Sequence, residues 1–551
     1  MFAQSNDPKV GPVVDKPSEL ISSWLQSRAE RFGADGALST TLDNADQERI
    51  TFSELNFATK RLASSLSTIG LVPGDAIAIW LPNRPLWMVV HFAAVLAGLT
   101  TIPLNTWYRE AEIRHFLNLT KARAVIVDST FRGIDFATIL NNALSRMDGK
   151  QTLEWLIDVA DSANTECGQI QSIGLSDLPR HAAVKSLGCA GENIAAITFA
   201  TSGTTALPKL AVHRESALIT HANAIVARSE ISRSDKVLCV LPPCGAYGYT
   251  LIMTALSAGA SAIQVPSHDL DQLVHAIGEH QITIMAVTEP LIRAILDHPM
   301  ASRESLASLR LVFSAGATLE DVVRRAEVDF GFRLTNVYGS SEVLAFASFW
   351  PSDADVLTRA SAGGKLVSPG MRVRIAGDFE TEVADGDAGE LQFHGPIVTM
   401  GYFADEKATH SAMTEDGWFR SNDLGIVDDL ESGVFRFIAR QGDALRIRGF
   451  LVSPSEIEGK LLSHPDVAGA QVVGVSDGRG EELAVAFVEL KATNDATASS
   501  LREFCGQDMA SYKVPAFVQI LDRFPTTRSA NGDKVVKGRL REMAKELIQH
   551  G

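Results

Sequence analysis

The sequence predicts an α/β fold built from several subdomains. Short apolar runs rich in β-branched residues alternate with segments of helical periodicity over most of the chain, a pattern typical of buried parallel strands joined by helices. At 551 residues the chain is also too long for one hydrophobic core, which stops growing near roughly 250–300 residues. We therefore predict a large N-terminal domain of α/β subdomains with a β-rich subdomain, followed by a small α+β C-terminal domain.

Short apolar runs mark the strands of the α/β part, and helix-length amphipathic segments lie between them. Two such segments, Leu270–His280 and Leu319–Phe330, carry apolar residues at helical spacing, so we predict helices there. The predicted strands are Ala76–Leu81, Ala124–Asp128, Val237–Leu241, Ile282–Val287 and Leu309–Phe313.

The longest apolar stretch, Trp87–Leu104, is predicted to form a helix followed by a strand. It contains His91 and Gly98 and ends in Thr-Thr-Ile-Pro before its last leucine. A membrane-spanning helix needs about 20 consecutive apolar residues, so we do not expect this stretch to cross a membrane.

Two changes of pattern divide the rest of the chain. From about 378 to 438 the sequence is rich in Gly and Asp, with strand-like runs at Gly389–His394 and Val434–Ile438, so we place the β-rich subdomain there. After it the pattern restarts as a compact unit, and we assign residues 1–440 to the N-terminal domain and 441–551 to the C-terminal domain. The elements predicted for the C-terminal domain are a helix at Ser455–Leu462, strands at Gly469–Val475 and Leu483–Glu489, then a helix, a strand and a basic helix.

Composition excludes several classes of protein. The chain is 46% hydrophobic and 21% charged, which excludes global disorder. Its formal charge of −16 disfavours a nucleic-acid partner, because phosphate contacts require a basic surface. Five cysteines without CxxC spacing indicate reduced thiols rather than disulfides or a zinc site. The polar N-terminus does not resemble a signal peptide, so we expect a cytoplasmic protein, either monomeric or homodimeric.

A loop suited to anion binding follows the strand-like run Ile197–Phe199. Five consecutive small or hydroxyl residues, Thr201–Thr205, precede Lys209. Backbone N–H groups and hydroxyls in such a loop can donate to one anion, Gly allows close approach of the backbone, and Lys supplies positive charge. A flexible surface loop is the alternative interpretation of this composition.

The order of the residues in this loop is more informative than its composition. Thr201–Lys209, TSGTTALPK, resembles the TSGTTGxPK signature of the adenylate-forming superfamily, which includes acyl-CoA synthetases, peptide-synthetase adenylation domains and luciferases. One position departs from the signature, because Ala206 stands where the second Gly is usual. The resemblance implies that the loop binds the phosphates of ATP.

Three further motifs follow in the order found in this superfamily. Ser314–Leu319 resembles its adenine-pocket turn, Asn336–Glu342 its YGxTE motif, and Trp418–Gly425 its WxxTGD motif. The resemblance implies an ATP site formed by Thr201, Ser202, Gly203, Thr204, Thr205, Lys209, Gly316, Ala317, Asn336, Val337, Tyr338, Gly339, Asp423 and Arg440.

The resemblance also assigns roles within the nucleotide site. Tyr338 would stack on adenine and Asn336 would hydrogen-bond its edge. Asp423 would accept from both ribose hydroxyls, with Arg440 as the second ribose contact. Asn422 stands where Gly is usual, so we predict a left-handed backbone there, a conformation that Asn tolerates better than most residues.

The catalytic residues implied by the resemblance are Lys534, Glu342 and Ser341. Ser341 would contact the α-phosphate, and Glu342 with Thr204 would hold Mg²⁺. The superfamily's catalytic lysine lies in a TxxGK-like loop, which Lys534 matches although Asp533 is inserted before it. Lys537 is the alternative.

A linker beginning at Arg440 resembles the superfamily's connection to a mobile C-terminal domain. Its hinge position is occupied by Gly442, where Asp or Lys is usual, and the wide φ/ψ range of glycine favours rotation between two domain poses. Asp443 is the alternative hinge. Gly449 resembles the narrow point of the coenzyme A path, next to Phe450.

The implied reaction is ATP-dependent activation of a carboxylic acid and its transfer to coenzyme A. The segment Leu241–Thr250 matches the acyl pocket and contains no acidic residue, which disfavours an amino-acid substrate. We expect a medium- or long-chain, branched or alicyclic acid, with an aryl acid second. The candidate pocket residues are Gly245, Tyr247, Tyr249, Ser340 and Leu344.

Two other functions stay open at the level of sequence. An adenylating enzyme could pass its acyl group to a carrier-protein thiol instead of coenzyme A. A degenerate nucleotide-binding protein could retain the fold without the catalysis, given the departures at Ala206, Gly245, Gly442 and Asp533.

Overall fold

We describe the chain from a computed structural model. The structure describes residues 19–40, 48–147, 151–161, 170–179, 194–201, 208–266, 269–316, 320–377, 388–443, 445–447, 450–476, 482–491, 496–529 and 532–550.

Helices and strands alternate through the first two thirds of the described residues. The helices are α1 Ile21–Phe32, α2 Phe52–Thr68, α3 Pro85–Leu96, α4 Glu110–Thr120, α5 Phe136–Ser145, α6 Glu215–Ser229, α7 Ala246–Ala258, α8 Leu270–Glu279, α9 Glu289–Leu296, α10 Glu320–Arg325, α11 Val356–Ala360, α12 Glu406–Ala412, α13 Pro454–Leu462, α14 Ala498–Asp508 and α15 Lys537–His550. The strands are β1 Gly36–Thr40, β2 Arg49–Thr51, β3 Ala76–Trp80, β4 Thr100–Pro103, β5 Ala124–Val127, β6 Trp155–Asp158, β7 Gln171–Gly174, β8 Ala195–Ala200, β9 Leu210–Arg214, β10 Lys236–Cys239, β11 Ser261–Gln264, β12 Ile284–Thr288, β13 Leu311–Ala315, β14 Arg333–Tyr338, β15 Ser348–Phe349, β16 Gly363–Leu366, β17 Arg372–Ala376, β18 Gly389–His394, β19 Phe419–Asp429, β20 Val434–Arg440, β21 Leu445–Ile447, β22 Phe450–Val452, β23 Val467–Ser476, β24 Glu482–Leu490, β25 Phe517–Ile520, β26 Thr526–Ser529 and β27 Gly532–Val535.

Two large sheets organise the part of the chain before the C-terminal unit. The first has the strand order β7-β6-β5-β3-β4-β8-β9 and is parallel except for the antiparallel pair β8–β9. The second has the order β17-β18-β19-β20-β16-β15-β14-β13-β12-β10-β11-β1-β2. In this spatial order, the neighbours from β14 through β13, β12, β10 and β11 to β1 pair in parallel. The neighbours from β17 through β18, β19, β20, β16 and β15 to β14 pair antiparallel.

The largest hydrophobic cluster lies between these sheets. It joins side chains of α3 and α7, such as Trp87 and Tyr249, to Phe199 of β8 and Phe313 of β13. Burying this much apolar surface is the main favourable contribution to folding. The cluster fixes the two sheets relative to each other, and with them the ends of their strands.

The C-terminal unit has its own core. Strands β23, β24 and β25 form a sheet against which α13 and α14 pack, and α15 covers the other side with Leu540 and Ala544. Two short hairpins, β21–β22 and β26–β27, complete the described elements of this unit.

The predicted elements of the α/β part and of the C-terminal unit are present in the structure. Each of the five predicted strands overlaps an observed one, and Trp87–Leu104 forms most of α3 and then β4. The predicted helix Leu319–Phe330 begins as α10 and continues as a π-helical turn, Ala326–Phe330. The β-rich segment is continuous with the larger sheet through β16 and β20. No helix in the described ranges is both long and apolar enough to span a membrane.

Candidate active site

Three strands end at one place in the fold. The carboxyl ends of β8, in one large sheet, and of β13 and β14, in the other, approach each other. Ser341, just after β14, donates its hydroxyl to Ala200 O at the end of β8, with an oxygen–oxygen distance of 3.1 Å. Asn336 of β14 donates to Gly316 O after β13 at 2.9 Å. The adenine turn, the YGxTE-like motif and the start of the Thr201 loop are therefore neighbours.

The predicted phosphate loop is closed at its base. Thr201 N donates to Lys209 O at 2.8 Å, so the two ends of the loop are held together. The Lys209 ammonium lies 4.9 Å from the ring centroid of Tyr402. The predicted loop residues Ser202, Gly203, Thr204 and Thr205 lie outside the residues that the structure describes, as does Ala317 of the adenine turn.

The amide oxygen of Asn336 is available to a ligand, whereas its amide nitrogen is not. Its Nδ2 group donates to Gly316 O and to Ala360 O at 2.9 and 3.1 Å. Because both partners are carbonyl oxygens, the NH₂ group must face them. Its Oδ1 atom is buried without a hydrogen-bond partner, which is costly unless a donor binds there. The 6-amino group of adenine is such a donor.

Asp423 presents a second buried acceptor oxygen without a hydrogen-bond partner. The Tyr338 hydroxyl donates to Asp423 Oδ2 at 2.7 Å, whereas Oδ1 has no hydrogen-bond partner and lies 3.2 Å from Arg440 Nε as an ion pair. Asp423 is 5% exposed, and burial raises its pKa while Arg440 and Tyr338 oppose that rise. Asn422, directly before it, has φ of 57°, which confirms the predicted left-handed turn.

The Tyr338 ring is part of an aromatic cluster. It stacks on Phe393 with ring centroids 5.6 Å apart and contacts Phe435 and Phe437 at 5.1 and 5.7 Å. These contacts hold the ring in one orientation, and Val337 next to it is buried. Gly339 is required by close packing, because a Cβ atom there would lie 2.3 Å from Ala345 O.

Glu342 is held by two residues that follow β18 in the chain, and the preceding Ser341 is held by a residue of β9. Its Oε1 atom accepts from the Tyr402 hydroxyl at 2.8 Å, and its carbonyl oxygen accepts from Thr399 N at 2.7 Å. His213 Nε2 donates to the carbonyl oxygen of Ser341 at 2.8 Å. Burial lowers the pKa of His213 to about 4, so this histidine is neutral near pH 7 and fixes the Ser341–Glu342 turn.

The Glu342 carboxylate suits an Mg²⁺ ion that is bound partly by the protein and partly by the phosphates of a nucleotide. The described residues contain no cluster of three or more His, Cys, Asp or Glu side chains that could hold a metal. Mg²⁺ usually keeps several waters and binds through one or two carboxylates plus substrate phosphates. One buried carboxylate beside a phosphate loop fits this preference.

The predicted acyl segment forms the start of α7. Gly245 is its N-cap, and Tyr247 packs its ring 4.8 Å from that of Phe346. The Tyr249 hydroxyl is 2.8 Å from His91 Nε2, and Tyr249 is 1% exposed. Leu344 is buried with φ of 56° and is held by a hydrogen bond from Thr250. Ser340 Oγ is buried without a hydrogen-bond partner.

The structure places the C-terminal candidates only in part. Lys534 lies on β27, where its backbone pairs with that of Thr527; its side chain lies outside the description. Gly449 is outside the described residues, and Phe450 is described by its backbone alone, as the first residue of β22. Gly442 is described, and a Cβ atom there would meet nothing within 4 Å.

Two residues that contact this site were missed by the sequence analysis. Tyr402 and His213 reach Glu342 and Ser341 from other elements. Tyr402 follows β18 in the chain but pairs with Ala211 of β9 through an isolated bridge. Periodicity carries no signal for such a long-range contact, and only its position after a Gly in an apolar run could have drawn attention to it.

Comparison with known proteins gives the family of the chain. Residues 25–403 match the family described as AMP-binding enzyme, and residues 456–531 match the AMP-binding enzyme C-terminal domain. The chain belongs to the AMP-binding enzyme family. The match covers more than half of the chain and includes every described residue of the nucleotide site up to Tyr402.

Relatives of this AMP-binding enzyme match it over most of its length. A 3-[(3aS,4S,7aS)-7a-methyl-1,5-dioxo-octahydro-1H-inden-4-yl]propanoyl:CoA ligase of Mycobacterium tuberculosis is 31% identical, covering 91% of this chain and 95% of its own. A 4-coumarate–CoA ligase of Oryza sativa is 30% identical, covering 96% and 93%. The crystal structure of ATP-bound MatB from Rhodopseudomonas palustris superposes with a TM-score of 0.78 at 25% identity, covering 95% of this chain and 99% of that one.

Proposed function

We propose that this AMP-binding enzyme is an ATP-dependent carboxylic acid–CoA ligase. In the first step the acid attacks the α-phosphorus of ATP, giving an acyl-adenylate and pyrophosphate. In the second step the coenzyme A thiol attacks the acyl carbon, giving the thioester and AMP. The observation that carries the proposal is the meeting of two buried acceptor oxygens without a hydrogen-bond partner, Asn336 Oδ1 and Asp423 Oδ1, with the Glu342 carboxylate. Asp423 Oδ1 also forms an ion pair with Arg440.

The two steps solve a leaving-group problem. A carboxylate is a poor acyl donor because its leaving group would be oxide, whereas an acyl-adenylate expels AMP. The first step brings two anions together, so the site must supply positive charge and orientation before the reaction begins. In this proposal Lys209 and the Thr201 loop bind the phosphates that leave as pyrophosphate.

In this proposal different side chains bind the adenine, the ribose and the phosphates of ATP. Asn336 Oδ1 accepts from the adenine amino group, and Tyr338 with the Gly316 backbone bounds the base. Asp423 Oδ1 accepts from ribose, assisted by Arg440. Glu342 holds Mg²⁺, which neutralises charge on the phosphates.

Asn336 should make the enzyme selective for adenine over hypoxanthine. Inosine triphosphate carries an acceptor oxygen where ATP carries the amino group, so its oxygen would face Asn336 Oδ1 without a proton between them. An unsatisfied buried acceptor costs about 1–3 kcal/mol, or about 5- to 160-fold in rate. We expect kcat/KM for inosine triphosphate to fall by that factor.

Steady-state kinetics with the two nucleotides measures this selectivity. The variant Asn336→Ala should lose most of the discrimination, and thermal unfolding of the variant reports any cost of leaving the Gly316 and Ala360 carbonyls unpaired. Equal use of both nucleotides by the parent enzyme would contradict the assignment of Asn336.

The acyl pocket favours a hydrocarbon-rich acid. Val343, Leu344, Ala345 and Phe346 are all buried, and the described segment 241–250 has no acidic side chain to hold an ammonium group. The Mycobacterium tuberculosis relative is named for a bicyclic propanoyl group and the rice relative for 4-coumarate. We propose an alicyclic, branched or medium- to long-chain acid, with an aryl acid as the second candidate.

A panel of acids tested for CoA-dependent AMP formation tests this function. The panel includes alicyclic, fatty, aryl and amino acids, and each is assayed with coenzyme A and with a carrier-protein pantetheine thiol. We expect AMP formation with coenzyme A and hydrocarbon acids. Activity with the carrier thiol alone would support the carrier-loading alternative. The absence of acid-dependent pyrophosphate release with every acid would support a degenerate nucleotide-binding protein.

A further inference from the structure

Tyr402 contacts two groups that the proposed function assigns to the phosphates and their metal. Its hydroxyl donates to Glu342 Oε1 at 2.8 Å. Its ring lies 4.9 Å from the Lys209 ammonium, within the distance at which a cation is attracted to an aromatic face. One side chain therefore joins the carboxylate of the YGxTE-like motif to the lysine at the end of the phosphate loop.

The backbone around Tyr402 is fixed on both sides. Phe403 N donates to Leu210 O at 2.8 Å, and Tyr402 N donates to Thr409 Oγ1 at 2.8 Å. On the other side Thr399 Oγ1 donates to Val212 O at 2.9 Å. These bonds attach the backbone of the segment to β9 and α12, so the ring can leave the site only by rotation of the Tyr402 side chain, which breaks the hydrogen bond of its hydroxyl to Glu342. A rigid attachment of this kind suits a group that orients others.

The hydrogen bond to Glu342 orients its carboxylate. Glu342 is 9% exposed, and Oε1 uses one lone pair on the Tyr402 hydroxyl, so Oε2 is the oxygen with more capacity for a metal. Partners that orient a metal-binding carboxylate typically change metal affinity 10- to 100-fold when they are removed. The ring contact acts separately, because it draws the Lys209 ammonium toward the same place.

We propose that Tyr402 is a positioning residue that couples Mg²⁺ binding by Glu342 to phosphate binding by Lys209. The inference rests on the proposed function, because it assumes that MgATP binds at this site. It assigns two separable tasks to one side chain: the hydroxyl orients the carboxylate, and the ring orients the ammonium. The two tasks predict different behaviour for two substitutions.

Calorimetric titration of ATP into the full chain without acid tests the proposal, once with Mg²⁺ and once with EDTA. Tyr402→Phe keeps the ring and loses the hydroxyl, so its affinity for MgATP should fall about 10-fold or more while its affinity for metal-free ATP matches the parent. Tyr402→Leu loses both, so we expect weaker binding under both conditions. A titration of Mg²⁺ at fixed ATP should show that Tyr402→Phe requires more metal.

Tyr108→Phe serves as the matched control, because the Tyr108 ring stacks on Phe116 rather than on a group of the nucleotide site. It should bind ATP like the parent in both conditions. The proposal is wrong if Tyr402→Phe binds MgATP as tightly as the parent, or if it loses the same factor with and without Mg²⁺. A parent enzyme that binds no ATP would overturn the proposed function itself.

Discussion

Replacing Lys534 with Ala should reduce acyl-adenylate formation by about 10²–10³-fold, the usual cost of removing one preorganised electrostatic group. We propose that its ammonium bridges the acid carboxylate and the α-phosphate, where two anions must approach each other. Thioester formation from presynthesised acyl-adenylate should largely survive, because no such approach occurs in the second step. Acid-dependent pyrophosphate release measures the first half-reaction, and CoA-dependent AMP release from acyl-adenylate measures the second.

Lys537→Ala is the control for this experiment. The Lys537 ammonium lies 3.2 Å from Glu458 Oε1, and the same oxygen accepts from Val472 N at 2.8 Å. Lys537 thus has a structural partner within the C-terminal unit, which favours Lys534 as the catalytic lysine. We expect Lys537→Ala to lower the unfolding temperature without separating the two half-reactions. Equal loss of both half-reactions in Lys534→Ala would contradict its assignment.

Local patterns in the sequence predicted several of the buried strands. Buried parallel strands are short, apolar and β-branched, so β3, β5 and β12 could be recognised from a few residues each. The left-handed turn at Asn422 followed from one unusual residue in a known motif. Predictions of this kind succeed because the information lies within a few positions of the chain.

Long-range pairing could not be predicted in the same way. The antiparallel strands from β15 to β20 continue the parallel sheet, which depends on contacts between segments far apart in sequence. The partners of Asn336 and Glu342 have the same origin, because Ala360 and Tyr402 reach them from other elements. Side-chain orientation, and so which buried acceptors lack a hydrogen-bond partner, emerges only when the chain is folded.

The hinge is where sequence and structure together support one alternative over the other. Gln441 N donates to Asn422 O of β19 at 2.8 Å, whereas Gly442 O accepts from Arg541 of α15 at 2.8 Å. Asp443 also forms an ion pair with Arg541. The chain is therefore attached to the N-terminal part at Gln441 and to the C-terminal helix at the carbonyl of Gly442. Asp443 N also donates to Arg440 O at 2.9 Å, which closes a turn that must open when the chain rotates here. The bonds whose rotations define φ and ψ of Gly442 lie between the attachments at Gln441 and at the Gly442 carbonyl. This favours Gly442 over Asp443 as the hinge.

Gly442→Pro should therefore slow thioester formation while acyl-adenylate formation continues. Proline fixes φ near −65°, which opposes the rotation that we propose withdraws Lys534 and admits the thiol after the first step. A penalty of about 3 kcal/mol, the size of a badly placed proline, corresponds to about 10²-fold in rate. Single-turnover measurements of the two half-reactions distinguish this outcome from general damage.

Gly442→Ala provides the graded comparison, because a Cβ atom at this position meets nothing within 4 Å and Gly442 is not among the residues with positive φ. This pose does not itself require glycine, so we expect Gly442→Ala to retain adenylation fully and to slow thioester formation less than Gly442→Pro. Rates of thioester formation that fall from Gly to Ala to Pro at position 442, with acyl-adenylate formation unchanged, would follow the decreasing backbone freedom of these residues. Turnover of Gly442→Pro to thioester at the parent rate would mean that the domains rotate about another residue.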